Sequence, residues 1–237
     1  MTAKHPHVMP RPAQLQGAFH SQFPGWTILS AGDEIALDGA LTPSSSARPG
    51  DVLTPPRGAA AFMILSGWAA LRRTTANGMR QIIVFFLPGD LVGLDTATAP
   101  MADGEVVALT NMRLRQLSGD GRAAVAQTHG LVRAIAAHNL QHQSRLQDQI
   151  LRLGAMSAAE RTAHLLAELD ERLKRGAAST RSQPFPIRQE IIAQTLGLSL
   201  VHVNRTLKRL RALSLVWVDH GCLVVPDRTA LLNPIPA

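Results

Sequence analysis

Residues 188–213 read "RQEIIAQTLGLSLVHVNRTLKRLRAL". Ile191, Ile192 and Leu196 give a core face to a short helix running from about Arg188 to Thr195. Gly197 follows, and glycine there permits the left-handed backbone that ends a helix tightly. Ser199 stands where a hydroxyl accepts from the free N–H groups of a new helix. In that second helix Val203, Leu207 and Leu210 recur at steps of four and three, so they face inward. The complementary face presents Leu200, Val201, Asn204, Arg205 and Lys208, with His202 at its edge. Four cations fall within positions 205–211. A basic amphipathic helix on its own is ordinarily a solvated surface helix. The preceding helix, the turn glycine, the cap and the two apolar runs of "VWVDHGCLVV" at 216–225 change that reading. Together they describe a winged helix-turn-helix, whose second helix enters the DNA major groove.

Upstream, Val132, Ile135, Asn139, His142, Leu146, Ile150 and Leu153 recur at steps of three and four. That spacing predicts a long helix over 131–156 with a narrow seam, as in a two-stranded coiled coil, which reads either as a dimerisation helix or as one helix packed on its own domain. Asn139 and His142 place a polar layer in the seam, which sets register at some cost in stability. Gly154, in "LGAMS" at 153–157, lowers helix propensity there. Ser157 with Glu160 three residues on is a capping-box signature for the next helix. "GAASTRSQP" at 176–184 reads as a linker.

Residues 15–119 have a different texture: short apolar runs separated by "PGD" at 49–51 and 88–90, "LSG" at 65–67 and "NG" at 77–78. "AAFMILSGWAALRR", the Asn77–Gly78 turn and "RQIIVFFL" predict a hairpin within a small antiparallel barrel or roll. The loop 95–104 looks exposed, and Asp90, Asp95, Asp103 and Glu105 read as a solvated acidic cluster. The expected organisation is a tail at 1–14, a β-roll domain at 15–130, the long seamed helix at 131–156 and a winged helix-turn-helix domain at 157–237. The fold class is α+β.

Of the 237 residues 46% are apolar, enough for a sizeable core, and 24 Lys and Arg against 17 Asp and Glu leave a net charge of +7. That balance favours an anionic partner. The single cysteine, Cys222, rules out an internal disulfide or a four-cysteine iron–sulfur site. No apolar signal region opens the chain, and the longest strongly apolar run, "IIVFFL" at 82–87, is too short to span a bilayer. The chain therefore reads as soluble and cytoplasmic, without a membrane partner. It has no P-loop, no G-x-S-x-G elbow and no H-E-x-x-H pair, so it does not read as an enzyme. The competing reading is a ligand-binding or adaptor protein whose basic helix meets an acidic partner.

The stretch "RQEIIAQTLGLSLVHVNRTLKRLRAL…LVWVDHGCLVV" resembles the winged helix-turn-helix of the Crp/Fnr family of bacterial transcription regulators, and "HVNRTLKRLR" is specific for one branch of it. A looser likeness extends over "ILSGWAALRR", "NGMRQIIVFFLPGDLVGL" and "VVALTNMRLRQLS". The resemblance implies a cyclic-nucleotide-binding-like β-roll and the C-terminal domain, and it makes the roll at 15–130 a sensor domain and the long helix at 131–156 a dimerisation helix. It implies a homodimer acting on double-stranded DNA with an inverted-repeat operator. It implies a phosphate contact from Gln189, with Arg188 beside it, and places Ser199 and His202 at phosphate-contacting or groove-edge positions. It makes Arg205 the reader of a guanine edge, whose O6 and N7 suit a guanidinium fork, with Lys208 approaching the backbone. It also implies RNA polymerase as a partner. Leu200 and Val201 depart from the polar readers of the best-known members and reach at most a thymine methyl.

In the sensor half, relatives that bind cyclic AMP use a Gly-Glu start and an Arg-Ser pair. Here Leu94 stands at the glutamate position and no Arg-Ser follows, so cyclic AMP is not expected to bind in the usual way. Haem needs an axial donor, for which His5, His7, His20 and His129 qualify by residue type alone. Cys222 reads either as a redox-sensitive thiol or as a small residue packed in the hairpin. The effector is unassigned.

Overall fold

A computed structural model of the chain describes residues 29–53, 61–93, 104–176 and 185–233. The 1–14 tail, His5, His7, His20, Leu94, Asp95, Asp103 and most of the 176–184 linker lie outside those residues.

The described chain opens with helix α1 (Ala31–Ala40), in a stretch whose turn-and-run texture suggested strands. Its cause is local. Ser30 Oγ accepts the Asp33 N–H at 3.2 Å while the Asp33 carboxylate accepts the Ser30 N–H at 2.9 Å, a reciprocal capping box. Strands β1 (Ser45–Ala47), β2 (Phe62–Ser66), β3 (Ala69–Thr74), β4 (Arg80–Phe86), β5 (Leu91–Val92), β6 (Gly104–Ala108) and β7 (Met112–Gln116) follow. They form two antiparallel sheets, in the orders β1-β7-β2-β5 and β4-β3-β6. β3 and β4 are the hairpin expected across Asn77–Gly78, and Gly78 has φ 81°.

The inner faces of the sheets share one core. Phe62, Ile64 and Leu114 come from one sheet, and Ala69, Val84, Phe86 and Val106 from the other. Register shifts between Leu71 and Arg72 where β3 meets β4. Such an irregularity switches the two-residue alternation. Val84 and Phe86 point into the roll, while Ile82 and Phe85 join a different cluster on its outer face.

Helix α2 (Gly119–Gln127) leads into the long helix α3 (His129–Ala155), close to the expected span of 131–156. Leu131 and Ala134 of α3 are buried with Leu37 and Ala40 of α1. Further along, His138 Nε2 lies 2.8 Å from the Leu91 carbonyl, and the His142 ring stacks on Phe86 with centroids 5.9 Å apart. Helix α4 (Ala158–Gly176) starts with the predicted capping box: Ser157 N–H donates to the Glu160 carboxylate at 2.7 Å. Helices α5 (Gln189–Leu196) and α6 (Leu200–Ala212), hairpin β8 (Trp217–Asp219) and β9 (Cys222–Val224), and helix α7 (Arg228–Leu232) complete the C-terminal domain.

That domain does not hang free on the long helix. Leu165, Leu166, Leu169 and Leu173 of α4 share a buried cluster with Ile192, Leu196, Val203 and Leu210, and the cluster continues into Trp68, Ile82 and Phe85 of the roll. Trp68 meets Phe185 edge-on, with centroids 6.1 Å apart. The junction also corrects the reading of the "PGD" turn at 88–90. Asp90 is not solvated but 0% exposed. Its carboxylate accepts from Arg172 of α4 at 2.8 Å and from the Leu87 N–H at 2.8 Å, with Arg145 of α3 at 3.5 Å. Burial pushes the Asp90 carboxyl up, but Arg145, Arg172, His138 and the Leu87 N–H outweigh it and hold the group below the usual carboxylate range. Glu105, by contrast, pairs with Arg72 at 2.8 Å and stays half-exposed.

Candidate nucleic-acid interface

The interface is built from α5, α6 and the hairpin after them. Arg188 is the N-cap of α5 and is exposed, and Gln189 begins the helix half-buried. Gly197 closes the helix in the left-handed region at φ 62°, ψ 36°, as its place in the sequence required. Ser199 then caps α6: its Oγ accepts the His202 N–H at 3.3 Å and lies 3.2 Å from His202 Nδ1. One hydroxyl therefore both starts the helix and holds the His202 ring against its first turn.

Burial divides α6 into two faces. Val203 and Leu210 are fully buried, Thr206 is nearly so, and Leu207 packs against the same core. The outward face carries Leu200, Val201, Asn204, Arg205 and Lys208, all exposed, with His202 exposed beside them. Val201 stands out at 76% exposure, high for an apolar residue in an ordered helix. Arg211 is also exposed. It lies seven residues after Asn204 and three after Lys208, which places it on the same face. Sequence reading omitted it, although the spacing from Asn204 carried the signal. Helix α6 contains no acidic residue, so its outward face presents Arg205, Lys208 and Arg211 without an internal counter-charge. Basic side chains in its last turn also suit the negative end of the helix dipole.

Beside α6, the β8–β9 hairpin turns through His220 at φ 47° and Gly221 at φ 79°, so both central residues adopt the positive φ of a tight hairpin. The Gly221 carbonyl accepts the Phe185 N–H at 2.8 Å, tying the hairpin to the segment before α5. Cys222 is half-buried in β9, with Sγ 3.9 Å from the His220 carbonyl. His129, exposed at the start of α3, lies in no cluster of three or more metal-binding side chains among the described residues.

The seam positions of α3 divide between two environments. Val132, Asn139 and Ile150 are exposed. Ile135 and Leu146 pack on the cores of their own roll, and His142 is taken by Phe86. Leu153 is half-buried, and its Cδ2 is 3.9 Å from where a Cβ on Gly197 would sit, so it faces the helix-turn-helix bend. With Val132 and Ile150, Leu140 and Leu151 leave apolar surface uncovered along the outward side of this helix. No helix among the described residues is long and apolar enough to cross a membrane.

Comparison with known proteins matches both halves. A family model described as a Crp-like helix-turn-helix domain matches residues 160–233, and one described as a cyclic nucleotide-binding domain matches residues 46–129. The chain is 26% identical over 166 residues to the nitrogen fixation regulation protein FixK of Bradyrhizobium diazoefficiens, covering 70% of each chain. It is 28% identical to the protein of the same name from Azorhizobium caulinodans, covering 95% of this chain and 94% of that one. The solved structure of FixK2 from Bradyrhizobium japonicum superposes with a TM-score of 0.70 at 25% identity, over 83% of this chain and 99% of that one. The two FixK proteins are named for regulation, which favours the regulator reading over the adaptor one.

Proposed function

The chain belongs to the Crp/Fnr family and is a transcription regulator of that type, and from that premise we propose that it binds an inverted-repeat operator as a homodimer joined along α3. The observation that carries the DNA reading is the outward face of α6, three cations with no carboxylate beside exposed Leu200, Val201 and Asn204. The dimer reading rests on the uncovered apolar surface of α3 at Val132, Leu140, Ile150 and Leu151. A two-fold axis along that helix would present two α6 helices to successive major grooves, about 34 Å apart.

In this reading Arg205 contacts a guanine edge, and Asn204, Leu200 and Val201 meet neighbouring bases. Arg188, Gln189, Ser199, His202 and Lys208 contact phosphates or the groove edge. The domain limits are those of the sequence reading, with the C-terminal domain seated on the roll. RNA polymerase is the proposed protein partner and the cytoplasm the proposed compartment. The family is one of regulators rather than enzymes, and we assign the chain no catalytic role.

Although the roll matches a cyclic-nucleotide-binding model, cyclic AMP is proposed not to be its effector in the usual manner. A buried cyclic phosphate needs a cation, and no Lys or Arg occurs between Arg80 and Arg113. Residues 94–103 lie outside the described structure, so no contact is assigned there. Micromolar binding of cyclic AMP by titration calorimetry would overturn this part.

The main test selects duplexes from a random-sequence pool, then measures affinity by fluorescence anisotropy and stoichiometry by sedimentation. Two chains per duplex, a symmetric consensus and a steep fall of affinity with salt are expected. One chain per duplex, or equal affinity for every sequence, would refute the proposal.

A further inference from the structure

Helix α5 ends with carbonyls that have no partner within the helix. Ala193 O accepts the N–H groups of Gly197 and Leu198 in the turn. Leu196 O accepts from Arg161 of α4 at 3.3 Å, a contact inside the C-terminal domain. Thr195 O is different. It accepts from Gln81 Nε2 at 2.8 Å and from Gln149 Nε2 at 2.5 Å. Gln81 lies on β4 of the roll and Gln149 on the long helix α3. Two amides from two separate elements therefore converge on one carbonyl oxygen, using both of its lone pairs.

The orientation of the buried amide is itself fixed. Arg152 Nη1 donates to Gln149 Oε1 at 2.8 Å, which turns the Gln149 NH2 group toward Thr195. Arg152 is held in turn by the Glu168 carboxylate and by His164 Nδ1 at 3.1 Å. The docking around this point is anchored independently, because Arg172 of α4 donates to Phe85 O of β4 at 3.1 Å as well as to Asp90. Neither glutamine contributes to the core that packs α5 against α6. What they determine is where the end of α5 sits relative to the roll and to α3. Thr195 is two residues before Gly197, the bend that aims α6.

We infer that Gln81 and Gln149 are positioning residues that fix the half-site spacing the dimer accepts, by pinning the helix-turn-helix bend to the dimer helix and the roll. The inference rests on the dimeric, inverted-repeat reading above. Adding one base pair to the spacer moves a half-site by about 3.4 Å and rotates it by roughly 35°. A bend held from two sides resists that displacement; without the two amides the domain stays docked through Arg172, but the end of α5 is free to shift. The base preference within each half-site depends on α6 itself and is left intact.

The test uses the full-length protein. The inverted repeat selected by the wild type is rebuilt with spacers one and two base pairs shorter and longer. Affinity for each duplex is measured for the wild type, for Gln81→Met/Gln149→Met and for each single substitution. Methionine keeps the volume and removes the donor. The wild type should lose about 100-fold on off-register spacers, because simultaneous engagement of both half-sites is lost, and the double variant about 10-fold or less. The ranking of base substitutions within a half-site should be the same in both. An unchanged spacer profile in the double variant would overturn the inference. Should that variant fail to fold, Gln81→Met alone, at a half-buried position, must still broaden the profile, and an unchanged profile there refutes it. A wild type that selects no inverted repeat would instead overturn the dimeric reading, and that outcome is visible before any variant is made.

Discussion

Asp90→Asn is the sharpest probe of how the two domains are joined. The carboxylate is fully buried, accepts the Leu87 N–H at 2.8 Å and neutralises Arg172 at 2.8 Å and Arg145 at 3.5 Å. An asparagine retains one acceptor oxygen but turns an NH2 group toward a guanidinium and leaves buried Arg172 and half-buried Arg145 without their common anion. Removing one partner of a buried pair costs about 3–5 kcal/mol. Glu168, 3.6 Å from Arg172, keeps part of the compensation, so the low end, about 3 kcal/mol, is expected. Urea unfolding followed by tryptophan fluorescence measures it, because Trp68 sits in the junction against Phe185. The pH dependence supplies an independent arm. The folded carboxyl is held below its ordinary range, so its stabilisation is present above the unfolded pKa and lost as pH falls through the folded one. Wild-type stability should therefore drop more steeply than that of Asp90→Asn below about pH 4. Burial and Arg145 pull Arg172 down to about 10, which leaves it charged at neutral pH, so Asp90→Asn/Arg172→Met removes both charges and should recover much of the loss. A loss below about 1 kcal/mol at pH 7, with acid profiles parallel to wild type, would refute the buried-anion argument.

Arg205→Ala should cost roughly 1–3 kcal/mol on the selected operator and leave binding to random DNA almost unchanged, as read by paired anisotropy titrations; equal losses on both would remove its base-reading role. Arg211→Ala should weaken every duplex alike and lower the slope of log affinity against log salt by about 1, the signature of one lost phosphate contact. Gly197→Ala should destabilise by about 1–2 kcal/mol through its left-handed φ of 62° alone, because an added Cβ meets only Leu153 Cδ2 at 3.9 Å. A thermal melt by circular dichroism reads it, and Gly197→Asn should recover part of the loss because asparagine tolerates that backbone.

What could be read from the sequence follows from the range of the interactions. The α6 pattern, its Ser199 cap, the Gly197 bend and the hairpins at Asn77–Gly78 and His220–Gly221 are determined within a few residues, and each was visible. Helix α1 had a local signal too, Ser30 with Asp33, but its short apolar pattern was outweighed by the strand-like runs downstream. The periodicity of α3 showed which residues lie on one side of the helix. It could not show that Ile135, His142 and Leu146 are occupied by their own roll while Val132 and Ile150 are not. Asp90 was misread because its neighbours make an ordinary acidic turn, whereas its partners Arg145 and Arg172 are 55 and 82 residues away. Gln81 is 114 residues from Thr195.

Those long-range polar contacts share a location, and the location explains their chemistry. Apolar contact between Trp68, Phe85 and the leucines of α4 supplies attraction between the domains, but it is non-directional and would tolerate sliding. A carboxylate enclosed by Arg145, Arg172 and the Leu87 N–H, and a carbonyl held by two amides, lose their partners on small displacements, because hydrogen bonds weaken steeply with angle and distance. The apolar surface thus holds the helix-turn-helix domain onto the roll, and the polar groups select one orientation of it. The proposed dimer, presenting two recognition helices at a set separation, would need the second property as much as the first.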